Sequence, residues 1–359
     1  MMELLSIFQR PLDLGLAVVS LSLLGYLSVR SLRQKEEASN SLHPLPPGPP
    51  VEPLIGSARH FPTTQLWKGF CNWQKSYGDL VYAKLPGTSF VMINSHDVCQ
   101  EILGKRTNTT SGRDAGYMFT DVMKLGWILT MLQPGGHHAN QRRMIRKAIG
   151  PSAIAGHDAH FEKITNDFML QLSTFKGEVP PEVMTIMSRI IIEITYGKEI
   201  WKTAGQELAE RNRETIHLAE LGLFNFWPVD FLHFLRFIPS WFPGAYFKRI
   251  GDRASELSDY VRYRPFEMAR ELHGKGQLSH CVASELLDEF GPDGDVRDGL
   301  GILYMAGSDT TSGAINAFIY DMFLFPDVAQ RVYEEIRSVT QGQRLLEISD
   351  RRSLPYTEA

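Results

Sequence analysis

Residues 296–325 keep a helical spacing of apolar side chains for thirty positions before Pro326 closes the run. At 1.5 Å per residue that is about 45 Å of helix, long enough to cross a whole domain. Its middle reads Ala306-Gly307-Ser308-Asp309-Thr310-Thr311. Ala306 and Gly307 remove side-chain bulk, so a flat ligand could approach the backbone closely. The four residues after them set polar groups where a buried helix is ordinarily apolar. A hydroxyl in that position can bond back to the preceding turn and leave room for a small molecule or water. Small residues followed by an acid and a hydroxyl suit oxygen chemistry at a metal centre. The competing reading of the same residues is a surface bend, or close packing against a neighbouring helix.

Helical periodicity recurs near residues 141–149, 161–175, 181–196, 206–221 and 254–272. Before them, residues 78–85 and 88–93 read as strands joined at Pro86-Gly87, and Ser95 can cap a helix over 96–103. The fold class expected is mainly α with a small β-sheet near the N-terminus. With 359 residues and 43% hydrophobic content the chain can bury a sizeable core. A net charge of −4, with no basic stripe, supplies no field for nucleic acid, and that partner class is excluded. The three cysteines, Cys71, Cys99 and Cys281, are scattered and odd in number, which argues for a reducing compartment and against a disulfide framework.

Residues 14–29 carry no charge, with Arg10 before them and Arg30, Arg33 and Lys35 after them. As a helix the run covers roughly 24 Å of a ~30 Å hydrocarbon core, so flanking residues must extend it. The excess of positive charge behind it predicts a signal anchor with the bulk of the chain on the cytosolic side. No small-x-small site follows that would mark a cleaved signal peptide. Pro44, Pro46, Pro47, Pro49, Pro50 and Pro53 then form a stretch too poor in donors for helix or central strand, expected as a stiff spacer. The organisation predicted is an anchor over 1–35, a Pro-rich hinge over 36–62 and one domain over 63–359.

The anchor, Pro46-Pro47-Gly48-Pro49-Pro50, the hairpin and the Ala306 to Thr311 segment stand in the same order as in the microsomal cytochrome P-450 family. The chain resembles fungal members of these haem-thiolate monooxygenases along its whole length. Leu354-Pro355-Tyr356-Thr357-Glu358-Ala359 resembles the family's entry into its next helix. The resemblance implies a haem b cofactor, electrons from NADPH through a cytochrome reductase, dioxygen, and a small lipophilic substrate of the secondary-metabolite or xenobiotic type. It places the protein in the endoplasmic reticulum membrane with its domain on the cytosolic face.

Carried residue by residue, the resemblance makes Thr310 the hydrogen-bond donor to dioxygen and Asp309 the residue that feeds protons toward O–O cleavage, with Ala306 and Gly307 against the haem face. A hydroxyl can donate a proton while staying neutral, and a neighbouring acid can replace it. The family grips the haem propionates with Trp-x-x-x-Arg. The corresponding segment here has Arg142 at the arginine and His138 where the Trp would stand; arginine suits a carboxylate through its bidentate donors. Ten aromatics fall in residues 224–247, among them Phe224, and this stretch resembles the lid over the family's substrate pocket. Met118 and Phe119 are candidates for the pocket's opposite wall.

The family's iron is held by a Cys thiolate in a Phe-x-x-Gly-x-x-x-Cys loop. None of Cys71, Cys99 and Cys281 has that context, so no metal ligand is assigned in this chain. The family's Glu-x-x-Arg pair is expected just past Ala359. The expectation is therefore a P-450-like fold with its C-terminal part missing, and the alternative function is a truncated, non-catalytic remnant that at most binds lipophiles at a membrane. His157 and His160 with Asp158 and Glu162, and the pair His137-His138, lack a third ligand at metal spacing. Asn108-Thr109-Thr110 is a glycosylation sequon left unused on a cytosolic domain.

Overall fold

The computed structural model describes residues 44–358 apart from 54, 87, 151, 152 and 155. The anchor expected over 1–35 lies outside the described residues; among the described ones no helix is long and apolar enough to cross a membrane. The longer helices are α1 (Leu66–Tyr77), α2 (Gly136–Ala148), α3 (Asp158–Leu172), α4 (Val179–Tyr196), α5 (Lys198–Phe224), α6 (Tyr246–Gly274), α7 (Val282–Phe290), α8 (Gly294–Leu324) and α9 (Pro326–Thr340). They divide between two units, Met1–Ser111 and Gly112–Ala359. The division falls inside the span that the sequence suggests as one domain.

In the first unit, β1 (Leu80–Leu85) and β2 (Thr88–Ile93) pair antiparallel from Leu80 opposite Ile93 to Leu85 opposite Thr88. The period of two buries Val81, Ala83 and Leu85 on one face. Tyr82 N–H donates to the Pro47 carbonyl at 2.9 Å and Ser57 N–H to the Lys84 carbonyl at 2.6 Å, so the Pro-rich segment lies along β1. Proline lacks a donor yet keeps its carbonyl, which is all this contact asks of it. A Cβ at Gly48 would fall 1.8 Å from the Tyr82 carbonyl oxygen, so only glycine permits the approach. Phe61, Phe70, Trp73 and Phe90 close the unit with ring centroids 5.7–5.8 Å apart. Ser95 precedes a single turn, His96–Cys99, without a side-chain cap, and a π-turn over Gln100–Gly104 follows it.

The second unit is built around α8. Asp293 caps its start, its side chain accepting from Asp295 N–H at 2.7 Å, and Pro326 ends it and opens α9. The N-terminal half buries Val296, Leu300, Ile302, Tyr304 and Met305, and α4, α2 and α6 pack on the helix. Each such apolar side chain is worth about 1.5–3 kcal/mol on burial. From Gly313 onward α8 is exposed or half-exposed, so the helix crosses the core only as far as Ser312. Gly197 divides α4 from α5 at φ +98°, a conformation other residues rarely adopt. Farther on, Arg344 forks onto Asp350 at 2.6 and 2.8 Å. Glu335 receives Tyr356 N–H at 2.9 Å and Thr357 N–H at 2.7 Å, holding the turn Pro355–Glu358 on α9.

Candidate active site

The polar turn of α8 sorts its residues by face, because successive positions rotate about 100°. Ala306 and Thr310 are exposed, one turn apart, and Ala314 and Ala317 continue the same small-residue row. Thr310 Oγ1 donates to the Ala306 carbonyl at 2.9 Å. Ser308 and Ser312 point inward; Ser312 Oγ donates to the Ser308 carbonyl at 2.8 Å, and Ser308 Oγ accepts from Asn212 Nδ2 at 2.8 Å. Asp309 is half-buried between the two faces. The helix continues unbroken through these back-bonded hydroxyls.

Gly307 does not share the open face with Ala306. A Cβ there would stand 2.7 Å from Ile191 Cγ1 and Cδ1, so its smallness serves the α8–α4 contact. Half-exposed Gly307 is thus rotated toward α4, one position on from Ala306.

His138 and Arg142 lie one turn apart on α2, half-exposed and exposed, and neither has a hydrogen-bond or ion-pair partner among the described residues. They leave a guanidinium and an imidazole available on one face, while Gln141, Met144 and Ala148 on the other face are buried. The start of α2 is pinned to the start of α8: His137 Nδ1 lies 2.9 Å from Asp295 Oδ1 and Asn140 Nδ2 donates to Asp295 Oδ2 at 3.0 Å. The Asp295 hydrogen bond raises the His137 pKa above the ordinary histidine value. Nearby, Arg262 forks onto Asp298 at 2.6 and 2.7 Å, Arg297 adds a bond at 2.8 Å, and the Trp127 and Tyr263 rings flank the Arg262 guanidinium. The sequence singled out His137 only as half of a histidine pair; its partner is 158 residues away.

Met118 and Phe119 are fully buried in the core, Phe119 and Met123 filling the space left by Gly222 of α5. Phe224, at the end of α5, is 82% exposed. The three are thus not gathered around one cavity. In the run after Phe224, Phe226 stacks on Phe231 with centroids 4.3 Å apart and Trp227 is buried, whereas Phe237 and Trp241 are exposed. A cleft of about 600 Å³ opens beside the start of α2, lined among others by Tyr117, Thr120, Met131, Leu132 and His137.

The three cysteines lie in different surroundings. Cys71 is exposed, Cys99 half-buried and Cys281 buried. Burial pushes the Cys281 thiol up, and its backbone is engaged with Ser284 at the start of α7, so it is kept protonated and turned to capping. Of the histidines discounted as metal ligands, His160 stands 3.2 Å from Glu193, and Glu162 accepts from Ile348 N–H at 2.9 Å.

The chain is 29% identical over 88% of its length to the cytochrome P-450 monooxygenase COX2 of Coprinopsis cinerea, of which it covers 61%. It is 27% identical over 96% of its length to the cytochrome P-450 monooxygenase 176 of Postia placenta, of which it covers 67%. To the tryptamine 4-monooxygenase of Psilocybe cyanescens it is 29% identical over 95% of its length, covering 68% of that protein. It thus spans about three fifths to two thirds of these relatives. The model of the cytochrome P-450 family matches residues 46–359. With the helical fold, the small hairpin and the α8 turn, this match shows that the chain belongs to the cytochrome P-450 family.

Proposed function

We propose that the chain carries the oxygen-handling part of a haem-dependent monooxygenase acting on a small lipophilic substrate. The observation that carries this reading is the exposed row Ala306, Thr310, Ala314, with Asp309 beside it, on the central helix of a P-450 family member. The row has no bulky side chain to keep a flat macrocycle away, which fits one haem face; no cysteine is assigned as the axial ligand. Haem, supplied with electrons from NADPH through a reductase, brings the reduction of dioxygen. Thr310 Oγ1, whose proton now rests on the Ala306 carbonyl, would turn about χ1 to donate to the reacting oxygen. Asp309 would return a proton to that hydroxyl. Arg142 and His138 would hold the propionates, a task suited to their lack of other partners. Phe224 and the aromatic stretch behind it would cover a lipophilic substrate. The charge-flanked run at 14–29 would anchor the protein in the endoplasmic reticulum membrane, its domain on the cytosolic face.

Haem titration of the purified chain tests this reading. Uptake should saturate, and Arg142→Ala should weaken it about tenfold through loss of a charge-assisted pair. In the loaded protein, Thr310→Ala should leave uptake intact and lower product formed per electron pair roughly 100-fold. Unchanged coupling would remove Thr310 from its role. A chain that takes up no haem would support the other reading, a membrane-tethered binder of lipophiles.

A further inference from the structure

The seam between α5 and α8 is polar at two successive turns. The Tyr304 hydroxyl donates to the Leu208 carbonyl. Four residues on along both helices, Asn212 Nδ2 donates to Ser308 Oγ at 2.8 Å and to the Met305 carbonyl at 3.3 Å. Asn212 is 1% exposed and Ser308 2% exposed, and Asn212 Oδ1 has no partner among the described residues. Leaving one amide atom unpaired in the interior costs about 1–3 kcal/mol. A leucine of similar size would fill the same space without that cost. What the amide adds is a choice of register: its donors reach both Ser308 Oγ and the Met305 carbonyl at only one rotation of α8 against α5. Met305 directly precedes Ala306 and Ser308 directly precedes Asp309, so the two acceptors lie within and next to the turn described above.

We propose that Asn212 is a positioning residue, which through Ser308 Oγ and the Met305 carbonyl fixes the rotation of α8 that turns Ala306 and Thr310 outward. Its catalytic meaning rests on the reading of Asp309 and Thr310 given under Proposed function. Its structural content stands apart from haem. A Leu208–Tyr304 bond one turn away keeps the helices together without Asn212, so the amide's loss should be felt locally rather than along the whole of α8.

Backbone hydrogen exchange in the full chain, without haem, decides the matter, with wild type, Asn212→Leu, Ser308→Ala and the double variant compared. Asn212→Leu should speed exchange of the amides at 309–312 about tenfold relative to those at 296–302, the size expected for one local hydrogen bond. Ser308→Ala should do the same although alanine is the better helix former, and the double variant should add little more. Should Asn212→Leu fail to fold, Asn212→Ala removes the amide without adding bulk or charge, and the same local pattern is expected of it. Exchange raised evenly along α8, additive effects of the two changes, or no change at 309–312 would each overturn the proposal. Failed haem uptake would overturn the functional reading while leaving the exchange pattern in force, so the two failures are distinguishable.

Discussion

Gly307 and Gly313 lie six residues apart on one helix and should respond oppositely to the same substitution. A Cβ at Gly307 meets Ile191 at 2.7 Å, whereas a Cβ at Gly313 meets nothing within 4 Å. Overpacking costs about 1–3 kcal/mol, and replacing glycine by alanine in a helix returns about 1 kcal/mol. Gly307→Ala should therefore lower stability by up to about 2 kcal/mol, and Gly313→Ala should raise it by up to about 1 kcal/mol. Urea unfolding of the two variants checks this; a stabilised Gly307→Ala would mean that Ile191 yields freely. The pair also marks what the sequence could tell. Ala306-Gly307 was legible as a place without bulk, but a single chain does not say which neighbour uses that space. One residue of rotation sends Ala306 outward and Gly307 onto α4. Thr310 could be picked out because a hydroxyl beside an acid is rare within an apolar run. Asn212 could not, since its role depends on a contact 96 residues away in the chain.

At the scale of elements, periodicity locates six of the longer helices, because each run is long enough to average over exceptions to its pattern. It missed α1, α7 and α9. α7 has only nine residues, near the lower limit at which a period can be read. Pro326 ends α8, and it also stands in the first turn of α9, where its missing N–H costs nothing. The joints between helices were hidden altogether. Asp298, 7% exposed, is held by Arg262 from α6 and Arg297 from its own helix. Removing Arg262 leaves that carboxylate with one partner, so Arg262→Ala should cost about 1–3 kcal/mol. Replacing both members by leucine should recover much of the loss, because a buried ion pair gives back in attraction little more than its desolvation costs. Unfolding of the two single variants and the double variant measures this; a double variant weaker than both singles would show that the pair contributes more than it costs.

At the scale of the whole molecule, three titrating groups make stability depend on pH. Asp350 is pulled down to about 2, first by the Arg344 fork and then by Glu347 N–H. Its folded value lies below the ordinary carboxylate value of about 3.9, so its contribution is complete above that pH and is lost as pH falls toward about 2. His157 is lowered by burial, helped by His160 and His280 and opposed by Glu285 and Asp158. Below about pH 6.5 the unfolded chain therefore takes up a proton that the folded chain resists, and stability falls. His137, raised by Asp295, acts in the opposite sense: its contribution is full below about pH 6.5 and is lost as pH rises through its folded value. The sequence displayed His157, His160, Asp158 and Glu162 as a possible ligand cluster, but the fold spends them separately, His160 on Glu193 and Glu162 on the Ile348 amide. Two acid-side losses should then be separable in urea midpoints taken across pH. His157→Gln should flatten the decline between about pH 7 and 5 and leave the lower limb intact, while Asp350→Asn should flatten the decline between about pH 4 and 2 from a lower starting stability. An unchanged slope in the upper range for His157→Gln would remove His157 as the source of that loss.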